Sequence, residues 1–291
     1  MGIVTTAELM AAATAARCGV LAFNVITLEH AEAIVEGAQR SAKPVILQLS
    51  QNAVAFHGGR IGPISAAAHT LARSAAVDVA LHLDHVQDMG LLRQARDAGF
   101  SSAMFDAGAL PYEENVVATR AAAEWAHGAG LMLEAELGYV GGKPDAPASA
   151  HAKGVRTDPA EATEFVERTG VDALAVAVGS SHAMTSQSAV LDHELIATLA
   201  EAVPVPLVLH GSSGVPDDQL RRAVRAGMVK VNVGTALNVA FTRAIRDALV
   251  DDMLVDPRTY LSPARELMAG KVQLLLAAAS PTIRDRSPEP A

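Results

Sequence analysis

Eight short apolar runs alternate with helix-like segments along the chain, and this alternation limits the fold more than any other feature. The runs begin at Val20, Val45, Val79, Ser102, Leu131, Ala173, Pro206 and Lys230. Ala-rich segments with helical periodicity lie between them, among them residues 29–42, 89–98, 113–128, 159–170, 192–202 and 216–227. Continuous apolar strands joined by helices are typical of a parallel sheet covered on both faces.

Two folds agree with this alternation, a closed (β/α)8 barrel and an open, doubly wound sheet. Polar residues follow nearly every predicted strand: Asn24, Ser50, Asp84, His85, Asp106, Glu136, His182, His210 and Asn232. A barrel brings the carboxyl ends of all its strands to one face, whereas an open sheet uses mainly the ends beside its switch point. We therefore predict an α/β chain with a single TIM-barrel domain over residues 1–280.

Three regions fall outside the alternation. Residues 139–157, YVGGKPDAPASAHAKGVRT, are rich in Gly, Pro and Ala and have the length of a lid or binding loop. Residues 265–279 are predicted to form a helix that packs on the outside of the barrel or in a subunit contact. The last segment, residues 281–291, is predicted to be a disordered tail.

Charge and composition argue against several classes of partner and location. The formal net charge is -9 and no cluster of Lys and Arg occurs, which argues against a nucleic-acid surface or an anionic membrane. The single cysteine, Cys18, excludes an internal disulfide framework and a thiolate metal cage. The first residues lack the pattern of a signal peptide, and no apolar stretch is long enough to span a membrane. We expect a cytoplasmic protein.

Three histidines each follow an apolar strand: His85, His182 and His210. A lone histidine at such a position is more often hydrogen-bonded to a neighbouring carbonyl than bound to a metal. Three of them at the same end of one barrel would converge, and catalytic zinc commonly takes three protein ligands and leaves one position open. The three histidines therefore predict a metal site.

Carboxylates accompany these histidines. Asp84 precedes His85 and, by strand alternation, should point to the opposite face, together with His82. Asp84 is either a general acid/base near the metal or a carboxylate that orients a histidine, and His82 is expected to be a supporting residue. Glu134 and Glu136 share one face of the fifth predicted strand, and Glu136 is a candidate ligand for a second metal position.

Small residues follow the last two predicted strands. HGSSG occupies residues 210–214 and NVGT occupies residues 232–235. Either motif alone indicates only a turn, but barrels often hold a phosphate at the loops after strands seven and eight, where backbone amides can approach it. The pair therefore favours a phosphate site at this place.

With these residues assembled, the chain resembles the class II, metal-dependent ketose-bisphosphate aldolases, especially the tagatose-bisphosphate branch. The similarity extends from about residue 22 to residue 271 through the motifs AFNV, PVILQ, LHLDH, SAMFD, LEAELGYVGG, TGVDALAVAVGSSH, VPLVLHGSSGVPD, KVNVGTAL and DPR. The order and spacing of so many matches are specific for the superfamily and say less about the sugar.

The resemblance implies a role for each matching residue. It implies that His85, His182 and His210 hold Zn²⁺ and that Asp84 is the acid/base at the carbon–carbon bond that breaks. It also implies that the dihydroxyacetone-phosphate end of the substrate is bound by Gly211, Ser213, Asn232 and Thr235. We add the strand-end residues Asn24 and Ser50 as candidate substrate contacts.

Two further implications concern assembly and a second ion. Gly179 and Gly211 match positions near a monovalent cation, Na⁺ or K⁺. Arg258, in DPR, matches the arginine that family members extend across a dimer to the far phosphate of the substrate. A homodimer or a homotetramer is therefore expected.

Three positions depart from the family pattern. The loop after GG normally carries a glutamate that exchanges a proton at the nucleophilic carbon, and here Pro144 stands at that position. Asp145 and His151 are candidates to replace it. Ala183 follows His182 where a glycine is usual, and Gly234 stands where the fructose-type branch carries an aspartate.

The residues and the resemblance lead to one main prediction and two alternatives. The main prediction is a zinc-dependent aldolase that reversibly cleaves a fructose- or tagatose-1,6-bisphosphate type of ketose into dihydroxyacetone phosphate and an aldehyde such as glyceraldehyde 3-phosphate. The first alternative, favoured by Pro144, is a relative that uses another aldehyde or a monophosphorylated ketose. The second is a non-catalytic, metal-stabilised barrel that binds a sugar phosphate.

Overall fold

Eight parallel strands close into a barrel in a computed structural model that describes residues 2–138, 156–250 and 253–279. The barrel order is β4, β3, β2, β9, β8, β7, β6 and β5, and β5 pairs with β4 to complete the ring. The strands are β1 (Gly2–Ile3), β2 (Val20–Asn24), β3 (Val45–Ser50), β4 (Asp78–Val86), β5 (Ser102–Phe105), β6 (Met132–Leu137), β7 (Ala173–Val176), β8 (Leu207–Leu209) and β9 (Met228–Val233).

Helices surround the barrel. They are α1 (Thr6–Ala16), α2 (Leu28–Ser41), α3 (Gln51–Phe56), α4 (Ile61–Ser74), α5 (Met89–Leu92), α6 (Tyr112–Gly128), α7 (Pro159–Thr169), α8 (His193–Ala202), α9 (Asp217–Ala226), α10 (Thr235–Ala248) and α11 (Pro257–Ala279). The barrel therefore has parallel strands with helices outside, and the predicted fold class, a (β/α)8 TIM barrel, is confirmed.

Some predicted elements differ in extent from the observed ones. The eighth barrel strand begins at Met228 rather than at Lys230, and the two-residue strand β1 adds to β4 outside the ring. The helix predicted over residues 89–98 ends as α5 at Leu92 and continues as turns, with Gln94 and Ala95 donating to carbonyls three residues back. Helices α1, α3, α4 and α10 were not among the predicted segments.

The amino end of the barrel is closed by helix α1. A capping box starts this helix, because Thr5 Oγ1 accepts from the Glu8 amide and the Glu8 carboxylate accepts from the Thr5 amide. Leu9 and Met10 of α1 pack on apolar side chains that point into the barrel, among them Ala22, Ile46, Ala80, Ala175 and Val208. Because this end is filled by apolar side chains, a binding site is left to the carboxyl ends of the strands.

Helix α11 packs on the outside of the barrel. It begins at Pro257, eight residues before the predicted start, and lies against α2 and α10 of the same chain. The contact with α2 is close at Gly37, where an added Cβ would lie 2.6 Å from the Ala269 carbonyl oxygen. The predicted packing on the barrel is therefore observed, within one chain.

No described helix has the length and apolar character that crossing a membrane requires.

Candidate active site

A cavity of about 380 Å³ opens at the carboxyl ends of the barrel strands. Its walls combine strand ends with the starts of the helices that follow them. The lining residues are Asn24, Ile26, Gln48, Ser50, Asn52, Ala53, Phe56, Asp84, His85, His182, Ala183, Gly211, Ser213, Asn232, Gly234, Thr235 and Asn238. Most of the residues selected from the sequence therefore meet in one place.

The three strand-end histidines converge with one carboxylate. His85, His182, His210 and Glu136 each offer one ligand atom, and these four atoms lie within 4.8 Å of one another. The imidazole centroids are 4.9 Å apart for His85 and His210, 5.2 Å for His85 and His182, and 5.7 Å for His182 and His210. A group with this spacing and these donors could hold a metal ion, and imidazole and carboxylate are among the ligands that zinc takes.

Hydrogen bonds to carboxylates orient two of the imidazoles. His85 Nδ1 lies 3.0 Å from Asp106 Oδ2, and His210 Nε2 lies 2.9 Å from Glu134 Oε1. Each of these ring nitrogens donates its hydrogen to the carboxylate, so the other nitrogen of the ring presents a lone pair to the cluster. His210 Nδ1 is buried and has no aligned hydrogen-bond partner, as expected of an atom that binds a metal.

The predicted alternation of Asp84 and His85 was wrong. His85 has a backbone φ of 49°, in the left-handed region, and the pairing of β4 with β5 shifts register between Leu83 and Val86. This irregularity turns His85 toward the cavity, so that its Nε2 lies 4.0 Å from Asp84 Oδ2. Both side chains consequently face the same site.

Glu136 lies in the same cluster as the histidines. Its Oε2 is 3.0 Å from His210 Nδ1, and both groups are buried. The sequence interpretation assigned Glu136 to a second metal position, and the geometry places its oxygen where it can reach the three-histidine position as well. The four residues thus form one candidate group of metal ligands.

Charge interactions perturb the imidazoles of this cluster. Burial alone would lower the pKa of His210, but its hydrogen bond to Glu134 and the Glu136 carboxylate beside its Nδ1 raise that pKa to about 9. Burial also opposes the charged form of His85, and the pKa of His85 is nevertheless raised, chiefly by the charge of Asp84 and the hydrogen bond to Asp106. The carboxylates around both imidazoles therefore favour positive charge at this place. A divalent cation that displaces the protons would supply that charge.

Asp84 lies beside the histidine cluster with fixed orientation. Gln48 Nε2 donates to Asp84 Oδ2 over 3.2 Å and to Asn24 Oδ1 over 2.6 Å. Burial would raise the pKa of Asp84, but the positive charge at His85 and the nearby imidazole of His82 hold it well below its usual range. Asp84 is therefore an ionised carboxylate at the cavity wall.

His82 is buried one layer deeper and supports the site from below. Its Nδ1 lies 2.7 Å from Ser102 Oγ, which donates to Thr6 Oγ1 over 2.6 Å. Its Nε2 lies 3.8 Å from Asp84 Oδ1. His82 does not line the cavity, and this agrees with the supporting role expected from the sequence.

Lys230 is enclosed within the barrel and pairs with Glu134. The Nζ–Oε2 distance is 2.7 Å, and both side chains are buried. Burial would raise the pKa of Glu134, but the charge of Lys230 and the hydrogen bond from His210 lower it to about 2. Since Lys230 Nζ is bound to a carboxylate and does not line the cavity, it is not placed to form an imine with a substrate.

The candidate phosphate residues lie on one wall of the cavity. Gly211, Ser213, Asn232 and Thr235 all contribute to the lining. Ser213 Oγ accepts from the Ala236 amide over 3.0 Å, which leaves the hydroxyl hydrogen for another acceptor. Gly211 has a φ of 67°, and an added Cβ would lie 2.6 Å from the Ser181 carbonyl carbon. This position therefore requires glycine.

Asn24 and Ser50 also line the cavity, with part of their hydrogen-bonding capacity already used. Asn24 Oδ1 accepts from Gln48, and Ser50 Oγ accepts from the Ala53 amide as the N-cap of α3. The Ser50 hydroxyl hydrogen and the Asn24 amide N–H groups are therefore the atoms that a ligand would meet.

Two positions near His182 have left-handed backbone. Gly179 has a φ of 114°, and an added Cβ would lie 2.5 Å from the Val190 carbonyl oxygen. Ala183 has a φ of 59° without being glycine. The resemblance seen in the sequence implies glycine at this position, so the departure at Ala183 falls where alanine is strained.

Arg258 does not line the cavity of its own chain. Its side chain is 89 % exposed, and its guanidinium pairs with Asp256 with a nitrogen–oxygen distance of 2.7 Å. The loop candidates Pro144, Asp145 and His151, and the predicted tail at residues 281–291, lie outside the described residues.

Some lining residues had no role assigned from the sequence. Gln48 is the polar residue in the otherwise apolar strand VILQLS, and this break in the pattern was the signal available for it. Asn52 and Phe56 lie on α3, and Asn238 lies one turn into α10. These helices were not predicted, and these three side chains, which they direct to the cavity, were not identified.

Comparisons with known proteins agree with this geometry. The family model described as fructose-bisphosphate aldolase class-II matches residues 4–280. A fructose-bisphosphate aldolase of Staphylococcus aureus is 39% identical over 256 residues, covering 86% of this chain and 88% of that protein. A fructose-bisphosphate aldolase of Geobacillus stearothermophilus is 38% identical over 275 residues, covering 94% of this chain and 95% of that protein.

A solved structure has the same architecture. The crystal structure of the YdjI aldolase from Escherichia coli K12 superposes with a TM-score of 0.82 at 30% identity, covering 95% of this chain and 97% of that chain. The likeness therefore extends over the whole barrel and includes the face that carries the cavity.

Proposed function

The chain belongs to the class-II fructose-bisphosphate aldolase family, and from this premise we propose that it reversibly cleaves a ketose 1,6-bisphosphate. The products would be dihydroxyacetone phosphate and an aldehyde such as glyceraldehyde 3-phosphate. The observation that carries the proposal is the convergence of four ligand atoms within 4.8 Å, with the carboxylate of Asp84 beside them. A cytoplasmic location agrees with this activity.

His85, His182 and His210 are proposed to hold one Zn²⁺, with Glu136 as a fourth ligand or as a neighbour that moves aside. When bound, the ion would act as a Lewis acid that polarises the substrate oxygens and stabilises the negative charge left by bond cleavage. Asp106 and Glu134 would keep His85 and His210 in the tautomers that bind metal, through hydrogen bonds of 3.0 Å and 2.9 Å.

Asp84 is proposed to be the acid/base of the reaction. In cleavage, its carboxylate would accept the proton of the C4 hydroxyl while the bond between C3 and C4 breaks. The enediolate left on the other half would then take a proton from water at C3 to give dihydroxyacetone phosphate. In condensation, it would return that proton to the aldehyde oxygen. Gln48 would hold Asp84 Oδ2 at the cavity wall through its 3.2 Å hydrogen bond.

The phosphate of the dihydroxyacetone half is proposed to bind where Gly211, Ser213, Asn232 and Thr235 line the cavity. Small residues at Gly211 and Ser213 let the backbone approach the phosphate, and the Ser213 hydroxyl would donate to it. A monovalent cation, Na⁺ or K⁺, near Gly179 and Gly211 would offset part of the phosphate charge.

Arg258 is proposed to serve the active site of a second subunit. Its exposed side chain would extend across a homodimer to the far phosphate of the substrate, and two such dimers would make a homotetramer. This assignment would explain why an arginine matched to the substrate site does not line the cavity of its own chain.

A second candidate function is an aldolase that takes a monophosphorylated ketose or another aldehyde. Two observations favour it besides Pro144: Gly234 replaces a carboxylate at the cavity wall, and no Lys or Arg lines the described part of the cavity. The two candidates differ in whether a distal phosphate is required.

A coupled assay for release of dihydroxyacetone phosphate tests the proposal. Purified protein with Zn²⁺ is assayed on fructose and tagatose 1,6-bisphosphates and on the corresponding 1-phosphates, before and after exhaustive removal of divalent metal. The proposal predicts cleavage of a bisphosphate that is lost with the metal and restored by Zn²⁺. Preference for a 1-phosphate would select the second candidate. Activity on none of the substrates, with sugar-phosphate binding retained, would instead support a binding barrel.

A further inference from the structure

A buried histidine on the second barrel helix contacts an asparagine at the cavity wall. His30 lies on α2 and Asn238 on α10, and His30 Nε2 is 3.2 Å from Asn238 Oδ1. The other ring nitrogen, Nδ1, is 3.0 Å from Thr27 Oγ1. Thr27 is the N-cap residue of α2, but its side chain makes no capping bond and is used for His30 instead.

These contacts define the direction of the hydrogen bonds. Asn238 Oδ1 only accepts, so His30 Nε2 must carry the hydrogen and donate it. Burial lowers the pKa of His30 more than the bond to Asn238 raises it, so the imidazole carries one hydrogen. His30 Nδ1 then accepts from the Thr27 hydroxyl. Thr27 therefore donates a hydrogen bond to His30, and His30 donates one to Asn238.

The His30 ring is held firmly. It is 3 % exposed, and its centroid lies 4.9 Å from that of Phe241, one turn further along α10 from Asn238. The histidine thus joins two helices at a packed contact rather than at a mobile surface. Since Asn238 Oδ1 is bound to this ring, the Nδ2 amide group of Asn238 is left for the cavity that the residue lines.

Asn238 lies on the wall assigned to the phosphate. It follows Thr235 by three residues on α10, which places the two side chains on the same face of the helix. Ser213, whose oxygen accepts from the Ala236 amide, lies at the start of the same helix. An amide N–H donor at this place can bind an anionic oxygen.

We propose that Asn238 is a further phosphate-binding residue, an inference that rests on the proposed function. His30 is the positioning residue that directs the amide N–H groups of Asn238 to the phosphate. The ligand class is a phosphomonoester such as dihydroxyacetone phosphate. Thr27 keeps the hydrogen of His30 on Nε2, because the Thr27 hydroxyl donates to His30 Nδ1.

Binding of dihydroxyacetone phosphate and of inorganic phosphate to the zinc-loaded full chain, measured by calorimetry, tests the proposal. Asn238→Ala removes the donor and should weaken binding on the order of tenfold. Asn238→Asp keeps the acceptor for His30 but presents a carboxylate to the phosphate, and should weaken binding on the order of a hundredfold. The same losses should be seen as a raised KM with a smaller change in kcat.

His30→Phe keeps the aromatic contact with Phe241 and removes the hydrogen bond to Asn238. It should weaken binding by less than Asn238→Ala, and it should add nothing when combined with Asn238→Ala. Thr27→Val, at the partly exposed N-cap, should show a smaller loss in the same direction and serves if His30→Phe does not fold. The matched control is His193→Phe, which removes a comparable 2.9 Å contact with Gln219 outside the cavity and should leave binding unchanged.

Two results would overturn the inference: wild-type affinity in both Asn238 variants, or a loss from His30→Phe that is fully additive with that from Asn238→Ala. Failure of the proposed function is distinguishable from these results. A wild-type protein that binds dihydroxyacetone phosphate but cleaves no ketose phosphate would refute the aldolase activity while leaving the binding comparison valid.

Discussion

Lys230 and Glu134 form an ion pair inside the barrel, with Nζ 2.7 Å from Oε2 and both side chains buried. The other oxygen of Glu134 accepts from His210, a candidate metal ligand. Glu134 therefore links the buried Lys230 to the candidate metal ligand His210. The cost of burying the two charges is offset by their mutual attraction and by the hydrogen bond to His210.

Lys230→Met tests the importance of this pair. Removing the cation leaves the buried Glu134 carboxylate uncompensated, so the free energy of unfolding should fall by about 3–5 kcal/mol. Denaturant unfolding measures the change. Glu134→Gln combined with Lys230→Met removes both charges and should recover part of the stability. A double variant no more stable than Lys230→Met would contradict the assigned cause.

Metal affinity should depend on pH through His210. In the metal-free protein its pKa is raised to about 9, so the imidazole is protonated below that pH and must release a proton to bind a metal. The apparent affinity for Zn²⁺ should therefore rise about tenfold per pH unit for each proton released, up to about pH 9, and then level off. Competition with a chelator of known affinity measures this, and an affinity independent of pH from 6 to 9 would contradict it.

Asp84→Ala should abolish cleavage without releasing the metal. Asp84 adjoins the ligand cluster but is not one of its four members, so the variant should retain Zn²⁺. Loss of the acid/base should lower kcat by a factor of ~10²–10⁴. Metal content by atomic spectroscopy and turnover in the coupled assay are measured together. Turnover near that of the wild type would refute the role of Asp84.

Ala183→Gly should relieve backbone strain. Ala183 has a φ of 59°, where alanine is disfavoured and glycine is not. Glycine also gains freedom in the unfolded chain, so the net stabilisation should be at most about 1 kcal/mol. Thermal unfolding measures it. Ala42→Gly, at a φ of 49° after α2 and outside the cavity, is the matched control. A destabilised Ala183→Gly variant beside a stabilised Ala42→Gly variant would show that the Ala183 side chain is needed.

The barrel and the identity of its main site residues were predictable from the sequence. Strand-length apolar runs alternating with helical segments are a local pattern, and strand ends are recognisable by the polar residue that closes each run, as at His85 and His210. Parallel strands bring such ends together whatever the detailed packing is. The sequence was therefore sufficient for the fold and for the histidine and carboxylate candidates of the site, but not for Gln48 or Asn238.

Tertiary structure decided how those residues face each other. Strand alternation predicted that Asp84 and His85 point apart, and the left-handed backbone at His85 reverses this prediction. That conformation depends on the irregular pairing of β4 with β5, which no local pattern encodes.

The partners of the site residues also come from distant parts of the chain. His30 meets Asn238 across 208 positions, and Glu134 meets Lys230 across 96. Sequence patterns identify what a residue can do, because chemistry belongs to the side chain. They do not identify which atom of a ring or amide faces the cavity, because that is set by hydrogen bonds formed only after the barrel has closed.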